Sequence, residues 1–213
     1  TFHNQLGYIS LNQQLQPNQV LAVAYTYTVN GVTRKVGEFS FEKAGGDTTT
    51  AANKVLHLKM LKSTAILPKL PIWDLMMKNI YSLGAFNVGQ EQFLLNILYQ
   101  DPGGGAKRFL PRGNLNGFPL LEVMGMDRLN NQGDPQPDGI FDFLPNLTII
   151  PRNGRIIFPV VEPFGEHLRS QITSEVLQEL YVYDELYDSS QFVAQQYAEK
   201  NRFLIQGTYQ GAS

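Results

Sequence analysis

The chain contains no cysteine. Disulfide frameworks and thiolate metal sites are therefore excluded, although an oxidising compartment is still permitted. Histidine is scarce, with only His3, His57 and His167, and none has a second His at ligand spacing. Zinc needs such a cluster, so no zinc site is expected. No apolar run approaches the roughly 18 residues that a membrane helix requires. No basic block occurs and the formal charge is −2, which leaves no electrostatic footprint for nucleic acid. The opening TFHNQLGYIS lacks a basic or apolar leader region and an initiator Met, so the chain reads as a processed or excised piece of something longer. A G-x-S-x-G nucleophile motif is absent. Gly103-Gly104-Gly105-Ala106-Lys107 lacks the G-K-[ST] of a phosphate loop, so a flexible loop is expected there.

Apolar residues make up 43% of the 213 positions, enough for one large core or two small ones. Aromatics at 11% lean towards β-structure. VLAVAYTYTV (20–29) alternates, with Leu21, Val23, Tyr25, Tyr27 and Val29 on one face. Asn30-Gly31 follows, the pair that a type I′ hairpin favours because both central residues need φ > 0. VTRKVGEFSF (32–41) returns, with Val29 opposite Val32, Tyr25 opposite Val36, and a bulge expected at Gly37. The ten-residue alternation also suits a membrane-barrel strand, but one hairpin cannot close a barrel, so a sheet outside the membrane is the expectation.

KAGGDTTTAAN (43–53) reads as a loop and VLHLKMLKS (55–63) as a strand. Trp73, Met76, Met77, Ile80 and Gly84 lie at helical spacing, which predicts a helix over 71–84. QFLLNILYQ (92–100) reads as a buried strand. Residues 101–155 hold nine of the 19 glycines and seven of the 12 prolines. That composition predicts long connections around one short helix at 118–126. A strand at 155–161, helices over 174–188 and 189–201, and a last strand leaving the domain at 202–211 complete the reading. The fold class expected is α+β: an antiparallel β-rich domain with three or four helices and long Gly/Pro/Asn-rich loops. It forms a single domain, with a subdivision at 102/103 as an option.

LNNQGDPQPDGIFDF (129–143) carries the densest chemistry. Asp134, Asp138 and Asp142 recur every fourth residue, with Asp127, Asn130 and Asn131 upstream. Calcium takes six to eight oxygen ligands, and this set offers carboxylates and amides around a Gly. Pro135 and Pro137 interrupt the alternate-position pattern of an EF-hand loop. The other reading is an Asx-turn loop in which Asp134 and Asp138 accept backbone N–H bonds. Elsewhere, His57 reads as a half-buried strand residue. His167 with Glu162 and Glu166 has the types needed for acid–base work, but no nucleophile accompanies them. Glu185 with Asp184 and Asp188 is a pattern common on surface helices. No catalytic residue is expected.

Seven phrases, in order, resemble the SprA/Sov family of gliding-motility cell-surface proteins. They are GYISLNQQLQPNQVLAVAYTYTVNG (7–31), VGEFSF (36–41), LPKLPIWDLMMKNIYSLG (67–84), KRFLPRGNLNGFPLL (107–121), LNNQGDPQPDGIFDF (129–143), NGRIIFPVVEPFGEHLR (153–169) and LYDSSQFVAQQYAEKNRFLIQGTYQG (186–211). That family forms the outer-membrane channel of the type IX secretion system in Bacteroidetes, a very large β-barrel with bulky soluble insertions. The resemblance implies one such insertion, with 202–211 continuing towards a barrel strand. It implies a structural, partner-binding role at the cell surface, with the exterior favoured over the periplasm. The implied partners are other secretion components and secreted cargo, with membrane association through the parent barrel rather than this segment. It supplies no catalytic residues. The contrasting expectation, from the aromatic β-rich composition, is a secreted carbohydrate-binding β-sandwich module.

Overall fold

The computed structural model describes residues 1–4, 6–43, 55–65 and 67–210. The loop expected at 43–53 lies outside them apart from Lys43. The architecture is α+β, with five short helices among the described residues and antiparallel sheets of two or three strands. Two compact units emerge, one of residues 1–3 and 9–76, the other of residues 4–8 and 77–213. The division therefore falls at Met76/Met77. A cut at 102/103 would sever a hairpin of the second unit.

Two short strands, β1 (Phe2–His3) and β2 (Tyr8–Ile9), stand at the N-terminal end. In the first unit β4 (Tyr25–Val29) and β5 (Val32–Val36) form the expected hairpin, with Val29 opposite Val32 and Tyr25 opposite Val36. Asn30 and Gly31 both take left-handed backbone, φ 50° and 77°, as a type I′ turn demands. The ten-residue strand does not run through, however. It breaks at Ala24, and β3 (Leu21–Val23) pairs instead with β6 (Lys59–Lys62). Gly37 is not a bulge inside a longer strand but follows the last residue of β5, Val36. A Cβ there would lie 3.0 Å from that of Ala24, and its φ is 77°. The ladder then changes partner, with Glu38 N donating to His57 O at 2.8 Å. Phe39 and Phe41 stack on each other at 5.2 Å beside a 3-10 turn at Ser40–Lys43.

The helix predicted over 71–84 is absent. Pro71–Leu75 makes one 3-10 turn, and Met76 is already extended. Ile80–Ser82 forms β7, paired with β11 (Arg155–Ile157), which pairs in turn with β10 (Ile149–Ile150). Long-range pairing of a β-branched and an aromatic residue here overrides a helical spacing. The predicted strand at 155–161 stops at Ile157, before Pro159, although Phe158 N still donates to Asn79 O.

The second sheet of this unit is β12–β8–β9, from β12 (Phe203–Thr208), β8 (Leu94–Asp101) and β9 (Gly105–Lys107). β8 buries Leu95, Ile97 and Tyr99 and turns Leu94, Asn96 and Leu98 outwards, a period of two. Six residue pairs join β12 to β8, so the last strand closes onto the sheet rather than leaving it. The glycine run at 103–105 is no flexible loop but the β8–β9 turn. It is locked by Lys107 Nζ on Asp101 at 2.7 Å.

The helices are α1 (Leu120–Val123), α2 (Glu166–Gln171), α3 (Glu175–Tyr181), α4 (Glu185–Asp188) and α5 (Gln191–Gln196). α2 was not expected. The helix predicted over 174–188 is two, because Tyr181, Val182 and Tyr183 are all buried. Three successive helical residues spread over about 200° of arc and cannot all face one core. Val182 takes extended backbone, ψ 133°, and solves the conflict. Among the described residues no helix is long and apolar enough to cross a membrane.

Among the described residues, every fully buried apolar side chain belongs to the second unit. Its core joins Ile97 and Tyr99 of β8, Leu120 and Met124 around α1, Phe158, Leu168 of α2, and Tyr187 of α4.

Candidate functional site

The 127–142 loop leaves the core after Met126 and returns to it at Phe141, both buried. Two carboxylates clasp its base reciprocally. Asp127, on the outgoing limb, accepts from Asp138 N at 3.0 Å and Gly139 N at 2.8 Å. Asp142, on the returning limb, accepts from Arg128 N at 2.7 Å and Leu129 N at 3.2 Å. Asp142 N also donates to Met126 O. Asp127 is only 1% exposed. Burial pushes its carboxyl above the usual carboxylate range, and the two backbone donors act against that shift.

At the tip, Asn130 takes the organising role. Its Oδ1 accepts from Gln132 N and Asp134 N, both at 2.9 Å. Its backbone N donates to Asp134 O at 2.9 Å. Asp138 accepts from Ile140 N at 3.0 Å, an Asx turn. Asp134 does not accept the backbone N–H bond expected of it. Its carboxylate meets only the Asn130 side-chain amide, at 3.4 Å. Arg108 reaches across to donate to Gly139 O at 2.8 Å.

Asp134, Asp138 and Asp142 thus serve three different local bonds. Among the described residues no three His, Cys, Asp or Glu side chains gather as a metal would require. Calcium wants convergent oxygens, and here each of the three carboxylates is drawn to a local partner of its own. The residues that organise the loop are Asp127 and Asp142 at its base and Asn130 at its tip. Asp127 and Asn130 stand in the sequence upstream of the three spaced aspartates, and the largely apolar run 120–126 before Asp127 is the signal that it is the buried one.

The other candidate groups are also engaged elsewhere. Glu162 pairs with Lys78 at 2.8 Å, Glu166 lies 3.5 Å from Arg169, and Arg169 also meets Asp184. His167 Nε2 meets Val123 O at 2.8 Å, so the ring donates to backbone and faces neither carboxylate. The carboxylate–imidazole pair is not assembled. Glu162 belongs beside a buried hydroxyl pair that sequence gave no sign of. The hydroxyls of Tyr81 and Tyr187 lie 2.9 Å apart, and Tyr187 also accepts from Phe164 N at 3.0 Å. Burial raises both phenols above their ordinary range. Tyr187 is 2% exposed, so this network supports the core and meets no substrate.

A cavity of about 230 Å³ opens at the end of β8 and β12, lined by Leu83, Ala85, Phe93, Leu95, Ile205 and Tyr209 among others. It is smaller than most ligand pockets and holds no carboxylate, imidazole or amine. No family model matches the chain, and no curated protein matches it.

Proposed function

We propose that this chain is a structural, partner-binding segment of the outer-membrane channel of the type IX secretion system. The role is non-enzymatic. It acts at the cell surface, on the exterior side, and contacts other secretion components and secreted cargo. The parent barrel anchors it in the membrane. The reading rests on the seven ordered phrases that resemble the SprA/Sov family.

One structural observation supports the partner-binding part. Residues 1–3 and 9–76 hold ladder-paired strands yet contain no fully buried residue among those described. Two-stranded sheets without a covered apolar face are marginal in water. Such a unit is built to be completed by something else. In the second unit, the candidate acid–base groups are spent on ion pairs and backbone bonds, which supports a role without chemistry.

The test is co-purification of the parent protein from the outer membrane, with this segment present and with 1–76 deleted. The expected result is that secretion components accompany the intact protein and are depleted with the deletion. Retention of the full set by the deletion form would remove the role. Clear micromolar binding on a glycan array would replace it with the carbohydrate-binding reading.

A further inference from the structure

We infer that the β4–β5 hairpin is a peripheral membrane finger whose partner is an anionic lipid surface. The inference goes beyond the secretion reading and does not depend on it. All five residues of β4 and four of the five in β5 are exposed, so the hairpin stands in solvent on both faces. The faces differ. Cross-strand register places Val29, Val32, Tyr27, Arg34, Tyr25 and Val36 together on one of them. Thr26, Lys35, Thr28 and Thr33 take the other, where the two threonine hydroxyls meet at 3.1 Å.

The order along the finger carries the inference. Next to the Asn30-Gly31 turn, the first strand pair is Val29 and Val32, 50% and 58% exposed. Next on the same face come Tyr27 with Arg34, then Tyr25 with Val36. Tyr27 and Tyr25 are 40% and 45% exposed and their rings lie 6.1 Å apart. An apolar pair beneath the short turn, then phenol beside guanidinium, matches the polarity profile of a bilayer boundary. Two residues of strand separate the valines from Tyr27 and Arg34, about 7 Å. An interfacial segment buries its apolar part by about 5–10 Å, so the cation would meet the headgroups as the valines reach the acyl boundary.

Charge selects an anionic surface. Residues 25–36 contain Arg34 and Lys35 and no acid. Residues 1–76 carry seven Lys and Arg against four Asp and Glu, whereas 77–213 carry ten against fifteen. Lys35 is bonded to Glu42, which leaves Arg34 as the cation on the apolar face. A protein strand added to a hairpin edge would use backbone groups and would not depend on Arg34 or the two valines.

The test uses the full chain and sedimentation with vesicles, either of phosphatidylcholine alone or with about a third phosphatidylglycerol, at low and high salt. Binding is expected only to the anionic vesicles, with release by about 0.5 M salt. The double change Val29→Ser with Val32→Ser should weaken binding about tenfold or more. Arg34→Glu should weaken it while leaving the circular dichroism spectrum unchanged. Val29→Trp should add a blue-shifted emission on mixing with anionic vesicles. No binding to either vesicle, binding indifferent to both the double serine change and Arg34→Glu, or an unshifted Trp emission overturns the inference. So does a dimer in solution that the double serine change dissolves, because the occupant is then a second copy.

Discussion

Removing the Tyr187 hydroxyl takes an acceptor from Phe164 N–H and a partner from Tyr81, which keeps only Lys78 O at 3.3 Å. The ring itself also packs on Gly165, where a Cβ would lie 2.8 Å from it. Tyr187→Phe preserves the ring and isolates the hydroxyl. It should cost about 1–3 kcal/mol, read as a lower denaturant midpoint at unchanged slope. An unchanged midpoint would show that water or rearrangement replaces those bonds. Asp127 offers a test through pH. Its folded carboxyl titrates above its ordinary value of 3.8, first because it is buried. A raised folded value means that the folded state holds the proton longer. The favourable contribution is therefore full below the unfolded value and is lost as pH rises through the folded one. Stability of the native chain relative to Asp127→Asn should fall over that interval and level off above it. A difference that grows with pH would mean that the two backbone donors outweigh burial. Sequence drew attention to Asp134, Asp138 and Asp142 through their spacing. Spacing brought out Asp142, one half of the clasp, but cannot reveal that Asp127, the other half, is the buried acid.

At the scale of elements, the turn and register of the hairpin were legible because their information is local, whereas the ends of its strands at Ala24 and Val36 were not. Asn30-Gly31 admits one turn type, and the turn fixes the register. The helix over 71–84 was misread because the competing information is remote. Tyr81 makes edge contacts with Phe158 and Phe164 at 5.4 and 5.8 Å, both far along the chain. Gly154 shows the same dependence on distant structure. It has φ 55° after a 3-10 turn at Pro151–Asn153, and a Cβ would lie 2.1 Å from Ala85 O. Gly154→Ala must shift backbone and should cost about 1–3 kcal/mol by thermal or chemical unfolding. A silent substitution would mean that β10, β11 and the Ala85 segment yield easily. For the acidic loop, the reciprocal clasp predicts indifference to calcium. Melting in millimolar calcium and in chelator should agree within about 1 °C, whereas a rise of several degrees would return Asp134, Asp138 and Asp142 to service as ligands.

For the whole molecule, the distribution of burial predicts where the chain opens first. Core residues such as Ile97, Met124, Phe158 and Leu168 are all in the second unit, and among the described residues the first unit contributes none. Opening free energies run from near zero where apolar contacts are few to the global value in a core. Amides of 21–36 should therefore exchange far faster than those of β8, despite both having ladder partners. Trypsin should cut early after Arg34, Lys35, Lys59, Lys62 or Lys69, and a product beginning near the unit boundary should persist. Composition could not have shown this, because exposed Tyr25, Tyr27 and Val29 follow the same alternation that buried Leu95, Ile97 and Tyr99 do. What differs is the face each alternation meets: β8 turns its odd-numbered residues towards the core, whereas the hairpin turns its apolar face to solvent. The decisive measurement is exchange by mass spectrometry on the chain alone, then with anionic vesicles. Protection confined to 25–36 on adding vesicles would tie the opening of the first unit to a missing lipid partner. Equal protection of both units in the chain alone would show that the first unit has a core of its own, and the argument for a partner would fall.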